Sequence, residues 1–441
     1  MTIDILALSR DRMEQVRAIR RELHRHPEIG TELPRTRALV LRELEKLGLD
    51  VRPDVGGGIT ADLPGPDGSG LIALRADMDA LPIQEESGLD FASEIPGQSH
   101  MCGHDAHTAM LLDAAALLSQ LRDRLPWGVR FLFQPNEENQ PGGARFMVEA
   151  GCLDGVREVF GLHVWPGRPT GWFGTRPGPL MARPDVFSAT IRGHGGHASV
   201  PHQCADPILA ASHLVIQWNT IVSRRIDPGE RAVLSVTRFE AGTGYNIIPD
   251  TAFLQGTVRT LSEATGDRVC DIMQKMAASV AAGMGVEADL DYVRGFPVVV
   301  NDEDAAARAV RVLGKFSKLM EGDIEPVMAG EDFSYYLEEK PGCFLFMGCG
   351  PCAAEGGGAG GTGAGPGMTF QENETRKTLE MGNRQRAESV IMPIFRARSA
   401  EKYAFRTAPD LSTVPLNTRS ERVGRSPARA VDCLTEPGIV C

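Results

Sequence analysis

LIALRAD (71–77), continued by Met78 and Asp79, decides the fold. Its apolar run reads as a strand buried in a sheet, with Asp77 and Asp79 at its C-terminal end. Two further stretches are built the same way. VRFLFQP (129–135) ends just before Glu137 and Glu138, and EVFGLHV (158–164) bears His163. A strongly apolar helix (106–121) lies between the first two. Strands alternating with helices imply an α/β layer architecture with a largely parallel sheet, and chemistry in such sheets sits beyond the C-terminal strand ends. Three separate strand ends here carry metal-type residues.

Upstream, Met13, Val16, Ile19 and Leu23 recur at helical spacing, so residues 9–25 read as an amphipathic helix. A second helix runs through Leu39, Leu44 and Leu47 and is stopped by Gly48. From about residue 184 the pattern changes. VFSATIRG (186–193), a helix near 206–223, strands near 232–239 and 251–260, a helix near 264–283 and a strand near 286–294 give βαββαβ order. That is the ferredoxin-like arrangement, expected here as an inserted α+β domain. A helix (304–319) and the strand CFLFMG (343–348) then return to the first domain. The expected organisation is a catalytic αβα domain from 1–183 and 297–350, an inserted domain at 184–296, and an atypical tail at 351–441.

The chain has 441 residues, 42% hydrophobic and 24% charged, as in globular proteins with a sizeable core. A net charge of −12 argues against a nucleic-acid surface, which needs clustered Lys and Arg. MTIDILALSRDRMEQ lacks the basic start and apolar run of a signal peptide, and no apolar stretch approaches 18 residues. Nine cysteines without a repeating spacing fit reduced thiols better than a disulfide framework, so a cytoplasmic location is expected.

Cys102-Gly103-His104, Glu137-Glu138 and His163 carry the chemistry. A thiolate, two imidazoles and a carboxylate are donors that zinc and its neighbours favour. Taken singly, each has an ordinary reading: a buried thiol beside a satisfied histidine, a solvated glutamate pair, a hydrogen-bonded core histidine. Their joint arrival at strand ends and a helix start favours a metal site. Two divalent ions about 3.5–4 Å apart can clamp both oxygens of a tetrahedral intermediate. Cys102 is polarisable enough to bridge them, with His104, Glu138 and His163 completing much of the coordination. Glu137 would act as general base and return the proton to the leaving amine. Asp79 and Asp105 are candidates to orient ligand imidazoles.

RRELHRHPEIGTELPRT (20–36), LRADMDALPIQE (74–85), SHMCGHDAHTAML (99–111), FQPNEENQPGGARFMVEAG (133–151) and GLHVWP (161–166) resemble the N-acyl-amino-acid amidohydrolases. That family includes hippurate and auxin-conjugate hydrolases and is related to aminoacylase and carboxypeptidase G. GHGGHASVPHQCADP (193–207), NIIPDTAFLQGTVRT (246–260) and AGEDFSYY (329–336) continue the resemblance in order, over roughly residues 12–350. It implies a dinuclear-metal exopeptidase-like domain that cleaves the amide of N-acyl amino acids with two divalent ions (manganese, zinc, cobalt or nickel). Cys102, His104, Glu138 and His163 match its metal ligands, Glu137 its catalytic base and Asp79 an aspartate that orients a ligand. Asp77 sits where distant relatives carry a ligand histidine. His197 matches a histidine that polarises the scissile carbonyl, across a dimer interface in some relatives. Asn246 and Arg259 match polar residues near the substrate carboxylate. A homodimer or higher homo-oligomer is implied, through residues 184–296.

The pattern then breaks. After strand 343–348 the resembled family carries a last ligand histidine, whereas this chain reads GPCAAEGGGAGGTGAGPG (350–367) and has no histidine beyond His213. Residues 351–441 hold 12 Lys and Arg against 10 Asp and Glu, unlike the acidic body. A reading-frame shift near Gly350 would account for the abrupt Gly-rich, aperiodic tail. The alternative reading of function is a binding protein, a catalytically impaired member that keeps the fold without turnover.

Overall fold

The computed structural model describes residues 5–66 and 69–350. Its central sheet has eight strands. From edge to edge they are Asp50–Val55, Gly58–Leu63, Gly128–Gln134, Leu71–Asp77, Val156–Trp165, Gly342–Gly348, Trp172–Gly174 and Leu319–Glu321. The four in the middle are mutually parallel, whereas Gly58–Leu63 and Trp172–Gly174 oppose their inner neighbours. The sheet is therefore mixed rather than largely parallel. Strand Asp50–Val55 escapes a periodicity reading because it is a mostly polar edge strand. Its partner follows after a tight turn at Gly56-Gly57, too short for a crossover helix.

Alternate residues of the central strands feed two separate cores. Ile72, Leu74, Ala76, Phe131 and Phe133 pack with helices Ile5–Arg25, Pro34–Glu45, His104–Gln120 and Glu303–Leu313. Ala73, Leu132, Val159, Phe344 and Phe346 pack with helices Gly143–Glu149 and Ser334–Glu339. Strands buried on both faces are apolar at most positions, which is why they read as near-continuous runs, and exceptions such as Arg75 and Arg130 are paired with carboxylates. Each large side chain so buried contributes about 1.5–3 kcal/mol.

A second sheet is entirely antiparallel, in the order Ala232–Ala241, Thr251–Thr260, Arg183–Arg192, Glu287–Val293. Helices Pro207–Arg224 and Glu263–Met284 cover one face of it. In chain order this is strand–helix–strand–strand–helix–strand, the ferredoxin-like order. Asp206 and Ser262 cap the two helices with their side-chain oxygens, which fixes where each begins.

The expected helix over 304–319 stops at Leu313. Gly314 follows, and Leu319–Glu321 forms an edge strand beside Trp172–Gly174 instead. Among the described residues Cys102, Cys152, Cys204, Cys270 and Cys343 are free thiols. No described helix is long and apolar enough to cross a membrane. The tail at 351–441, with everything expected of it, lies outside the described residues.

Candidate metal centre

Strands Gly128–Gln134, Leu71–Asp77 and Val156–Trp165 are adjacent and parallel, so their C-terminal ends open on one edge of the sheet. That edge receives Asp77 and Asp79, the Asn136–Glu138 turn and His163. Asn136 adopts a left-handed φ of 58°, a conformation side chains seldom take, and so turns the chain sharply to present Glu137 and Glu138. Helix His104–Gln120 begins at the same edge. Gly103 precedes it at φ 89°, and a Cβ there would lie 2.5 Å from Val164 Cγ2. Only glycine lets Cys102 and His104 approach the strand end this closely.

Cys102 Sγ lies 3.3 Å from His163 Nε2. His104 Nε2 lies 3.7 Å from Asp77 Oδ2, 3.8 Å from Glu138 Oε1 and 4.0 Å from Glu137 Oε2. Both rings are oriented through their other nitrogen. His104 Nδ1 donates to the Asp79 carbonyl at 2.9 Å, and His163 Nδ1 donates to the Val164 carbonyl at 2.6 Å. Each Nε2 lone pair is thereby turned toward the cluster, the arrangement a metal-ligating histidine needs. Asp79 also accepts the backbone N–H of Glu137 at 3.0 Å and of Glu138 at 3.2 Å.

The fit to divalent cations rests on what these donors lack. His104 Nε2 and Glu138 Oε1 are buried with no hydrogen-bond partner, a costly state for polar atoms unless a cation completes them. Cys102, His104 and His163 form one group whose ligand atoms all lie within 4.8 Å of one another, and His104, Glu137 and Glu138 form a second. His104 is common to both groups, and with its Nδ1 engaged its Nε2 can serve one ion.

Charge points the same way. Asp77, Asp79, Glu137, Glu138, Glu331 and Asp332 bring carboxylates to this region. Buried Arg75 donates to Asp77 at 2.6 Å, Glu331 at 3.0 Å and Asp332 at 2.9 Å, and so offsets only part of that charge. Burial and the neighbouring Glu331 and Glu138 charges push the Glu137 carboxyl well above its usual range. Burial and Glu138 likewise raise the Cys102 thiol. Burial pushes His163 down to about 3, which keeps it neutral and able to ligate.

Sequence reasoning passed over several residues here. Glu331 and Asp332 belong to AGEDFSYY, but nothing in the chain ties them to Arg75, which is 256 residues from Glu331. His107, one turn beyond His104, bonds Asp77 and Val164. Its signal was the His-x-x-His spacing on one helix. Asp105 does not orient a ligand imidazole. Its carboxylate accepts from Arg20 at 3.0 Å and bonds His24 at 2.8 Å.

His197 and Asn246 lie together on a small ribbon, away from the cluster's hydrogen bonds. Gly196–His197 pairs with Ile247–Ile248, and the Asn246 carbonyl accepts from Ala198 N. His197 is exposed, its Nδ1 held by the Ser199 N–H at 3.1 Å. Arg259 lies on the sheet face opposite the helices, with Nε donating to Thr257 Oγ1 at 3.2 Å. Among the described residues no carboxylate lies within ion-pair distance of it. Burial lowers its affinity for the proton, opposed by the Asp185 charge.

Residues 73–361 match the model of peptidase family M20/M25/M40. Thermostable carboxypeptidase 2 of Saccharolobus solfataricus is 40% identical over 338 residues, 75% of this chain and 84% of that one. N-acetylcysteine deacetylase of Bacillus subtilis is 42% identical over 335 residues, 75% of this chain and 87% of that one. Among solved structures, the Bacillus subtilis YXEP protein, a dinuclear metal binding peptidase from the M20 family, is 37% identical with a TM-score of 0.68, covering 78% of this chain and 90% of its own.

Proposed function

Since this chain belongs to peptidase family M20/M25/M40 and is a metal-dependent hydrolase of that family, we propose that it cleaves the amide bond of N-acyl amino acids, releasing a carboxylic acid and a free amino acid. The two relatives' names share a chemical feature, an amide whose amine side is an amino acid with a free carboxylate. The observation that carries the reading is the pair of unpartnered buried atoms, His104 Nε2 and Glu138 Oε1, beside the Cys102–His163 contact.

In this reading Cys102, His104, Glu138 and His163 would hold two divalent ions (manganese, zinc, cobalt or nickel). Bound there, the ions would act as Lewis acids toward water and the scissile carbonyl. Glu137 takes the proton from the attacking water and delivers it to the departing amine, a task suited to its raised proton affinity. Asp79 holds the turn bearing both glutamates, so that base and ligand stay in register. His197 donates to the developing oxyanion. Asn246 and Arg259 receive the substrate carboxylate, for which Arg259 has an unengaged guanidinium face. The exposure of His197 suits delivery into the cleft of a partner subunit in a homodimer. Free thiols suit a cytoplasmic enzyme.

The absence of histidine beyond His213 favours one competing reading, a fold that binds without turnover. Metal analysis of the purified full chain, with ninhydrin detection of amino acid released from N-acetyl- and N-benzoyl-amino acids, separates the two. About two ions per chain and release of amino acid are expected. One ion or none, with no release at any added metal, would reject hydrolysis.

A further inference from the structure

The strand Val156–Trp165 pairs with Leu71–Asp77 only as far as Gly161, opposite Arg75. Beyond that point the two strands part, and the space between their ends is where the donor cluster lies. A fork of this kind leaves ladder groups without strand partners on its inner side. His107 spans it. Its Nε2 accepts the backbone N–H of Val164 at 2.9 Å, and its Nδ1 donates to Asp77 Oδ1 at 2.6 Å.

These contacts fix the state of the ring. An Nε2 that accepts an N–H carries no proton, so the ring is neutral with its proton on Nδ1, facing a carboxylate. Both nitrogens are occupied. His107 therefore cannot ligate a cation, although it lies near His104 and Asp77. Its ring packs edge-on against His163, with centroids 4.7 Å apart. Val164, which it holds by the N–H, is the residue whose carbonyl orients His163 Nδ1.

We propose that His107 is a positioning residue of the metal centre: it staples the fork between Asp77 and Val164 and so sets the ring of His163 opposite Cys102. The inference rests on the metal-binding reading above. It adds a residue whose loss weakens the site without removing a ligand.

Two variants divide the staple. In His107→Gln the side-chain oxygen can reach the place of Nε2 and accept from Val164, whereas the Asp77 contact is lost. In His107→Asn the amide nitrogen can reach the place of Nδ1 and donate to Asp77, whereas the Val164 contact is lost. Titration of the metal-free full chain with cobalt(II) reads both affinity and the thiolate-to-cobalt absorption that reports Cys102 coordination. His107→Asn is expected to bind cobalt about 10–100-fold more weakly, with a displaced or weakened thiolate band. His107→Gln is expected to recover most of both. Melting of the metal-free proteins checks folding, and a folded His107→Gln keeps the comparison valid if His107→Asn proves unstable. Wild-type affinity and band in His107→Asn would overturn the positioning role while leaving the metal site standing, as would loss in His107→Gln equal to that in His107→Asn. A wild-type chain that shows no cobalt binding would overturn the underlying metal reading itself, and this role with it.

Discussion

The side-chain amide of Gln140 donates to the carbonyl oxygen of Pro184 at 3.0 Å. That one bond joins the turn following Glu138 to the strand that leaves for the antiparallel sheet. Pro184 is hemmed in elsewhere too, since a Cβ on Gly330 would lie 2.5 Å from its Cγ and a Cβ on Gly295 would lie 2.2 Å from its carbonyl oxygen. The glutamate turn and the base of the second sheet are therefore mechanically connected. Gln140→Ala is expected to cost roughly 0.5–1.5 kcal/mol of stability. Hydrogen exchange should accelerate in peptides spanning 136–142 and 184–186, with strand Leu71–Asp77 unaffected. Unchanged exchange in both peptides would mean the bond couples nothing.

Glu137→Gln keeps the shape of the turn and removes the base. Turnover is expected to fall by roughly 10²–10⁴-fold. Metal content should stay at the wild-type level, because Cys102, His104, Glu138 and His163 are untouched. Metal analysis beside kinetics on the same preparation decides the matter. A loss of metal in step with activity would reassign Glu137 as a ligand.

Gly103→Ala places a side chain at φ 89° and pushes its Cβ against Val164 Cγ2. A destabilisation of about 1–3 kcal/mol is expected from the backbone conformation and the clash. Adding Val164→Ala should relieve the clash but not the backbone cost, so recovery in thermal melts should be partial. Full recovery would show that the left-handed turn itself costs nothing.

His24 is buried between two acids, with Nδ1 2.8 Å from Asp105 and Nε2 3.3 Å from Glu85. Burial opposes its protonation, yet the bond to Asp105 and the two acidic charges raise its affinity for the proton above the usual value. A group raised in the folded state stabilises below its unfolded value near 6.5 and loses that contribution as pH climbs through the folded value. His24→Gln is therefore expected to cost roughly 1.5–3 kcal/mol at pH 6 and progressively less in alkaline solution. Denaturant melts at pH 6, 7.5 and 9 measure this. A gap that widens with pH would reverse the assigned charge state.

Much of the site was legible because its donors sit where regular elements end. LIALRAD, VRFLFQP and EVFGLHV are apolar at most positions, and that marks them as central strands whose ends share an edge. The polar edge strand Asp50–Val55 and the short Leu319–Glu321 carry no such signal, since a border position tolerates polar residues. Helix 303–313 read too long because the residues after Gly314 keep enough apolar character to extend the period.

The chain by itself determined the alternation of strands and helices and the βαββαβ unit, and offered the soft and hard donors of the proposed site, since each follows from local periodicity and side-chain chemistry. Only the tertiary structure decided that Arg75 meets Glu331 and Asp332, that Asp105 turns to His24 rather than to a ligand, and that His107 closes the fork beside His163. Those partners are set by which buried charges and backbone groups lack any other neighbour once the strands are stacked, a condition that no local stretch of sequence contains.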